Sequence, residues 1–321
     1  DGNGDIIIGV GDGTSSGFYG SSINVSGSAV GGYTVFGNEL FDLTGSISNS
    51  RTHASTALAI GVAGTAARTV SIDGNIVNSG TNTTSFVVST TGNVTVTGHV
   101  ESTANGTITW PNITSSNFSI GGLNVSAGTI TKPVTHSGTT LINGNIAISG
   151  GNVNLLNDGS NPAITVAANS ASFTGGTITT TGVTALTLNV PSIIYGGATT
   201  NPTFATAATV IIVGVPAPVQ LVNFQIGDAN PLVAGGLTVN SSGLARAVEF
   251  TGGSLRVAGL LTFQAGKVHL TGAANILAQA NTGTNDFQNV AGYTTDDNAR
   301  VTLNATSPQV TGAGDFGNFE I

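Results

Sequence analysis

From Leu141 to Gly182 the chain reads LINGNIAISGGNVNLLNDGSNPAITVAANSASFTGGTITTTG. Apolar residues fall at every second position: Ile146 and Ile148, Val153 and Leu155, Ile164 and Val166, Ala171 and Phe173. A period of two belongs to a strand with one buried face. The rhythm is broken at Gly150-Gly151, at Asn157-Asp158-Gly159 and at Gly175-Gly176. Such clusters turn the chain, so each strand is held to a few residues. The same grammar returns at Phe118/Ile120 and Leu123/Val125, and again at Val248/Phe250, Leu255/Val257, Leu261/Phe263 and Val268/Leu270. No segment combines a 3.6-residue apolar period with caps, so long helices are not expected.

Two all-β architectures satisfy this pattern. In a right-handed parallel β-helix, or β-solenoid, coils of roughly 20 residues stack so that inward Val, Ile, Leu and Phe form one continuous core. In a pair of antiparallel β-sandwiches, each Gly-Gly closes a hairpin. Strands of three or four residues are short for a sandwich and normal for a solenoid face, which favours the solenoid. The expected layout is an N-terminal strand segment at 1–20, a solenoid at 21–195, and its continuation at 235–321 with a polar loop at 281–299. Pro202, Pro216, Pro218 and Pro231 crowd the stretch between. Proline is expelled from central strands, so 196–234 is expected to be an irregular insertion or a boundary.

Composition narrows the function classes. Charged residues are 7% of the 321, far below the ~25% of ordinary soluble domains. Seven scattered Lys and Arg make no phosphate-tracking patch, so nucleic acid is not an expected partner. No run approaches the ~20 apolar residues of a membrane-spanning helix. The absence of Cys excludes disulfides and thiolate metal sites. The absence of Met points to a processed mature chain or a piece of a longer one. Low charge, abundant Thr, Ser, Asn and Gly, and no oxidisable sulphur together suggest an extracellular, cell-surface protein.

The residues that could carry chemistry are sparse. His53, His99, His136 and His269 stand far apart, without the close spacing of metal ligands. The leading Asp1-Gly2-Asn3-Gly4-Asp5 resembles the start of a calcium loop, but Ile6 replaces its glycine and Asp12 its bidentate glutamate. No metal or cofactor is therefore expected. Glycosidic cleavage requires two carboxylates ~5–10 Å apart. The one dense acidic cluster, Asp296-Asp297 with Arg300, reads as a solvated turn. Lys132 and Lys267 lack acidic company in the sequence. Trp110, the sole Trp, reads as a core or edge plug rather than a sugar-stacking platform. The threonines around Thr177 to Thr181 could order water on a flat face, although their abundance is accounted for by β-propensity. No catalytic residue is assigned, and the chain is not expected to be an enzyme.

The run FTGGSLRVAGLLTFQAGKVHLTG and the terminal GAGDFGNFEI resemble the repetitive surface proteins that bacteria, notably Bacteroidetes, secrete as adhesins and fibres. The pattern of the chain is also similar to the passenger domains of autotransporters. Those families imply a cell-surface location and adhesion or filament building. The expected function is thus structural: a subunit of a self-assembling, pilus-like surface filament, with itself as principal partner. The alternatives are an adhesin segment that binds surface glycans, and a polysaccharide lyase or hydrolase on a β-helix. The candidate inter-subunit strand is Ile6, Ile7, Ile8 and Val10, an apolar run between glycine-rich flanks. Such a strand can add to the open edge of a neighbour.

Overall fold

The computed structural model describes residues 6–9, 17–28, 32–37, 40–53, 57–62, 69–87, 92–112, 117–131, 139–155, 163–166, 170–179, 185–204, 210–214, 221–240, 247–265, 267–280 and 287–321. Among them there is no helix, and the strands pair in parallel, coil upon coil, as a β-solenoid. The sandwich alternative is thereby excluded. A Gly-Gly break turns the chain through a corner, and the partner strand arrives one coil later. Coils are longer than the roughly 20 residues expected. Bonded partners in adjacent coils stand 22, 24, 25 or 29 residues apart, as at Thr109–Thr131, Asp73–Thr97, His269–Thr294 and Ser46–Asn75. The chain divides into two compact units, Asp1–Asn145 with Gly150–Ile164, and Ile146–Ser149 with Thr165–Ile321.

In the first unit the ladder of one face runs through Ile6–Gly9, Tyr33–Gly37, Ala57–Val62, Thr83–Val87, Thr107–Thr109, Thr129–Thr131 and Asn152–Asn154. The other faces share strands that bend through a corner. Asn93–Ser102 pairs with Thr69–Ile72 before the bend and with Ile76–Asn78 after it. The inward residues are shut off from solvent, among them Phe41, Leu43, Ile47, Val70, Ile72, Val94, Val96, Phe118 and Ile120. Each such side chain stabilises the fold by about 1.5–3 kcal/mol. Gly98, Gly121 and Gly144 occupy the bend in consecutive coils. A Cβ on Gly121 would lie 1.8 Å from the Thr97 carbonyl oxygen, and one on Gly144 would lie 1.6 Å from that of Gly121. Glycine is required there because the next coil passes where a methyl would sit.

A second corner of this unit is polar inside. Asn49 and Asn78 are buried and in register. Asn78 Nδ2 donates to the carbonyls of Asn82 and Thr107 at 2.9 and 3.0 Å, and its Oδ1 accepts from Gly80 N. Asn49 repeats the local contact with Arg51 N and donates to Thr84 Oγ1 at 2.8 Å. These side chains add to the backbone bonds at the corner, where Gly80 N also donates to the Asn49 carbonyl and Thr107 N to that of Asn82, both at 3.1 Å.

The second unit has its own ladders. One runs through Ala185–Asn189, Val210–Gly214, Gly236–Asn240, Leu261–Ala265, Phe287–Asn289 and Val310–Thr311. Another includes Ala171–Phe173, Ser192–Tyr195, Leu221–Ile226, Ala247–Gly252, Lys267–Leu270 and Tyr293–Thr295. On a third face Thr177–Thr179 pairs with Thr203–Phe204, and a separate five-stranded sheet begins at Leu232–Val233 and runs to Phe319–Glu320. The core contains an aromatic file: Phe173, Tyr195, Phe224 and Phe250, with successive ring centroids 6.4, 6.2 and 4.8 Å apart.

Two expectations about layout change. The stretch 196–234 carries four strands of the stack, Thr203–Phe204, Val210–Gly214, Leu221–Ile226 and Leu232–Val233. Pro202 and Pro231 are buried just ahead of two of them, where a missing N–H costs no ladder bond. Pro216 and Pro218 lie outside the described residues. The stretch 281–299, expected to be a polar loop, contains Phe287–Asn289 and Tyr293–Thr295, with Phe287 and Tyr293 buried. Gln288 and Thr294 are accessible beside the two inward aromatics while Asn289 is buried with them, so average polarity hid the inward residues.

Candidate functional site

The candidate inter-subunit strand starts from the first ladder. Ile6–Gly9 forms a strand of the chain's own sheet, with Ile6 opposite Tyr33 and Ile8 opposite Val35. Val10 lies outside the described residues, as do Asp1 to Asp5 and Asp12. On its other side Ile6–Gly9 has no partner strand among the described residues. An edge of this kind presents unpaired N–H and C=O groups to any incoming strand.

A second edge is found in the other unit, built from Val310–Thr311 and Phe319–Glu320. Both strands are two residues long. Val310–Thr311 pairs with Phe287–Asn289, and Phe319–Glu320 with Arg300–Leu303. Beside them Phe316 is 46% exposed and Ile321 82%. Phe316 and Phe319 lie on the buried Phe287, centroid to centroid 6.2 and 6.3 Å. Phe287 and Tyr293 in turn contact Phe263. Burial pushes the hydroxyls of Tyr195 and Tyr293 well above the ordinary tyrosine range. Each donates to a backbone carbonyl, of Leu232 and of Asn318 respectively.

The titratable residues are sorted by the coils. Asp296 and Asp297 form an exposed turn, but Arg300 turns to Glu320, Nε to Oε2 at 3.0 Å, on the next coil. Asp296 instead faces His269, Oδ1 3.5 Å from Nε2, and accepts from Gly272 N at 3.0 Å. The other ring nitrogen of His269 lies 2.7 Å from Thr294 Oγ1. Glu249 is in register with His269 on the preceding coil. His269, Thr294 and Asp296 therefore form one outward polar row that links coils. Their separation in sequence, about one coil, is the signal that would have exposed the row had the chain been written in frames of that length. His99 is exposed and His53 half-buried, far from this row in sequence; His136 and Lys132 lie outside the described residues, as does the side chain of Lys267. Among the described residues no group of three or more His, Asp or Glu is placed to hold a metal ion. No helix among them is long and apolar enough to cross a membrane.

Trp110 is 4% exposed and packs on Phe118 at 5.0 Å, with Nε1 donating to the Asn154 carbonyl at 2.7 Å. Its ring faces are spent on the core, so it offers no platform to a sugar. Thr107 and Thr109 are in register with Thr129 and Thr131, and Thr131 Oγ1 donates to Thr109 Oγ1 at 3.2 Å. The Thr-x-Thr pattern is aligned in these two coils and gives way to Asn152 and Asn154 on the neighbouring strand.

These observations define the chain as a parallel β-solenoid. No family model, curated protein or solved structure matches it.

Proposed function

We propose that this protein is an extracellular structural protein: a subunit of a self-assembling surface filament, joined to its neighbours by β-strand contacts and performing no catalysis. The observation that carries the reading is the edge of Ile6–Gly9, a strand paired on one side only among the described residues. An unblocked parallel edge is a template for another chain. The sequence from Ile6 to Val10 is apolar and contains no charge. The low charge of the whole chain supports the same reading, since charged side chains are the usual means of keeping such edges apart.

The assembling partner is a second copy of the chain. Electron microscopy of the chain lacking residues 1–12 tests this. Loss of filaments, with the solenoid's circular dichroism retained, is the expected result. Filaments of normal length and abundance would remove the N-terminal strand from the contact.

A further inference from the structure

The segment from Val310 to Ile321 is held on the preceding coil by short strands and side-chain contacts. Its neighbours are the strands Phe287–Asn289, Tyr293–Thr295 and Arg300–Leu303. It offers them two strands of two residues, and over Tyr293–Thr295 it runs irregularly. Much of the attachment passes through side chains. Asn289 Nδ2 donates to the carbonyls of Gly314 and Asp315 at 3.4 and 3.0 Å. Tyr293 Oη donates to the Asn318 carbonyl at 3.0 Å. Asn318 Nδ2 reaches the carbonyls of Asp296, Asp297 and Ala299 at 3.1, 3.3 and 3.2 Å, while its N–H donates to Thr295 Oγ1. Arg300 and Glu320 add an exposed ion pair, which contributes little in water.

What this segment covers is apolar and otherwise complete. Phe287 and Tyr293 are buried beneath Phe316 and Phe319. Phe316 itself remains half in solvent. The coils before it bury their inward aromatics fully, as Phe224 and Phe250 are buried, and pair longer strands beside the short ones, as Ser254–Val257 does with Asn275–Ala278. The strap thus satisfies the edge only in part.

We infer that Val310–Ile321 is a displaceable strap, and that a parallel strand of a second copy takes its place on the edge formed by Phe287–Asn289, Tyr293–Thr295 and Arg300–Leu303. This rests on the assembly reading above and specifies its acceptor surface. The occupant follows from the ladder. Turning a coil upside down reverses its sense of circulation and makes every strand antiparallel to the edge. Only a copy in the same orientation continues the parallel pairing seen in this unit. The strap competes with that copy for the same backbone groups, so it sets the rate at which chains join.

A reversible lock tests the inference, because the chain contains no Cys. Thr302 and Glu320 are register partners on adjacent strands. Neighbouring strands bring Cα atoms within disulfide reach. In the Thr302→Cys, Glu320→Cys double variant, oxidation is expected to slow assembly, followed by light scattering, by about tenfold or more. Dithiothreitol is expected to restore the wild-type rate. Assembly of the oxidised variant at the wild-type rate would overturn the strap as an acceptor gate. Hydrogen exchange on the unassembled wild-type chain gives an independent readout. The amides of Tyr293, Val301 and Gly314, which bond to or within the strap, are expected to exchange about a hundredfold faster than those of Phe224 and Phe250. Equal protection would overturn the strap even if no form of the chain assembles. Absence of filaments with fast strap exchange would sink the filament reading and leave the strap in place.

Discussion

Replacing Gly144 by alanine isolates what fixes the coil spacing. The added Cβ would lie 1.6 Å from the Gly121 carbonyl oxygen, where ordinary contact begins at 3.4 Å. The neighbouring coils must part locally by about 2 Å to admit it. Two coil-to-coil bonds flank the point, Asn143 N to the Ile120 carbonyl and Leu123 N to the Asn145 carbonyl, each 2.9 Å long. That displacement carries both beyond hydrogen-bond range. Each lost bond costs about 1–2 kcal/mol, so Gly144→Ala should destabilise the first unit by about 3 kcal/mol. Gly27→Ala serves as the control. Gly27 has φ +102° but nothing within 4 Å of its would-be Cβ, so only backbone strain of about 1–2 kcal/mol is charged. Urea unfolding followed by Trp110, the sole Trp, reports on the same unit in both variants. A midpoint shift for Gly144→Ala no larger than for Gly27→Ala would show that the corner glycines are not set by contact between coils.

Two further outcomes follow from buried aromatics. Tyr195 has a raised pKa because burial disfavours its phenolate. The unfolded chain ionises this group near pH 10 and the folded chain does so only at higher pH, so its contribution is intact below pH 10. It is lost above that point at about 1 kcal/mol per pH unit. Tyr195→Phe should cost about 1 kcal/mol at pH 8, for the bond to Leu232, and should flatten the decline in urea stability between pH 10 and 11.5. Parallel declines in variant and wild type would contradict the assignment. Trp110 should emit at short wavelength, resist acrylamide quenching, and ignore added pectin or alginate fragments. A glycan-dependent spectral change would reverse its placement in the core.

The local pattern of this chain determined which residues are inside. Val248 and Phe250, Leu255 and Val257, Ile146 and Ile148 are all buried where the period of two places them, because alternation is a property of one strand alone. It also placed turns and bends, since glycine acts on the backbone beside it, although Asn93–Ser102 and Asn117–Val125 run on as strands through Gly98 and through Gly121-Gly122. The partner of each strand was decided only in three dimensions. Gly-Gly at a hairpin and Gly-Gly at a solenoid corner are the same local signal, and what separates them is a neighbour some 25 residues away. A separation of about one coil kept His269 apart in sequence from Thr294 and Asp296, and likewise Arg300 from Glu320, its partner in place of Asp296. Coil length varies too much for a simple repeat to reveal these neighbours. Contact between coils is a tertiary quantity, set by the closure of each turn against the one before it.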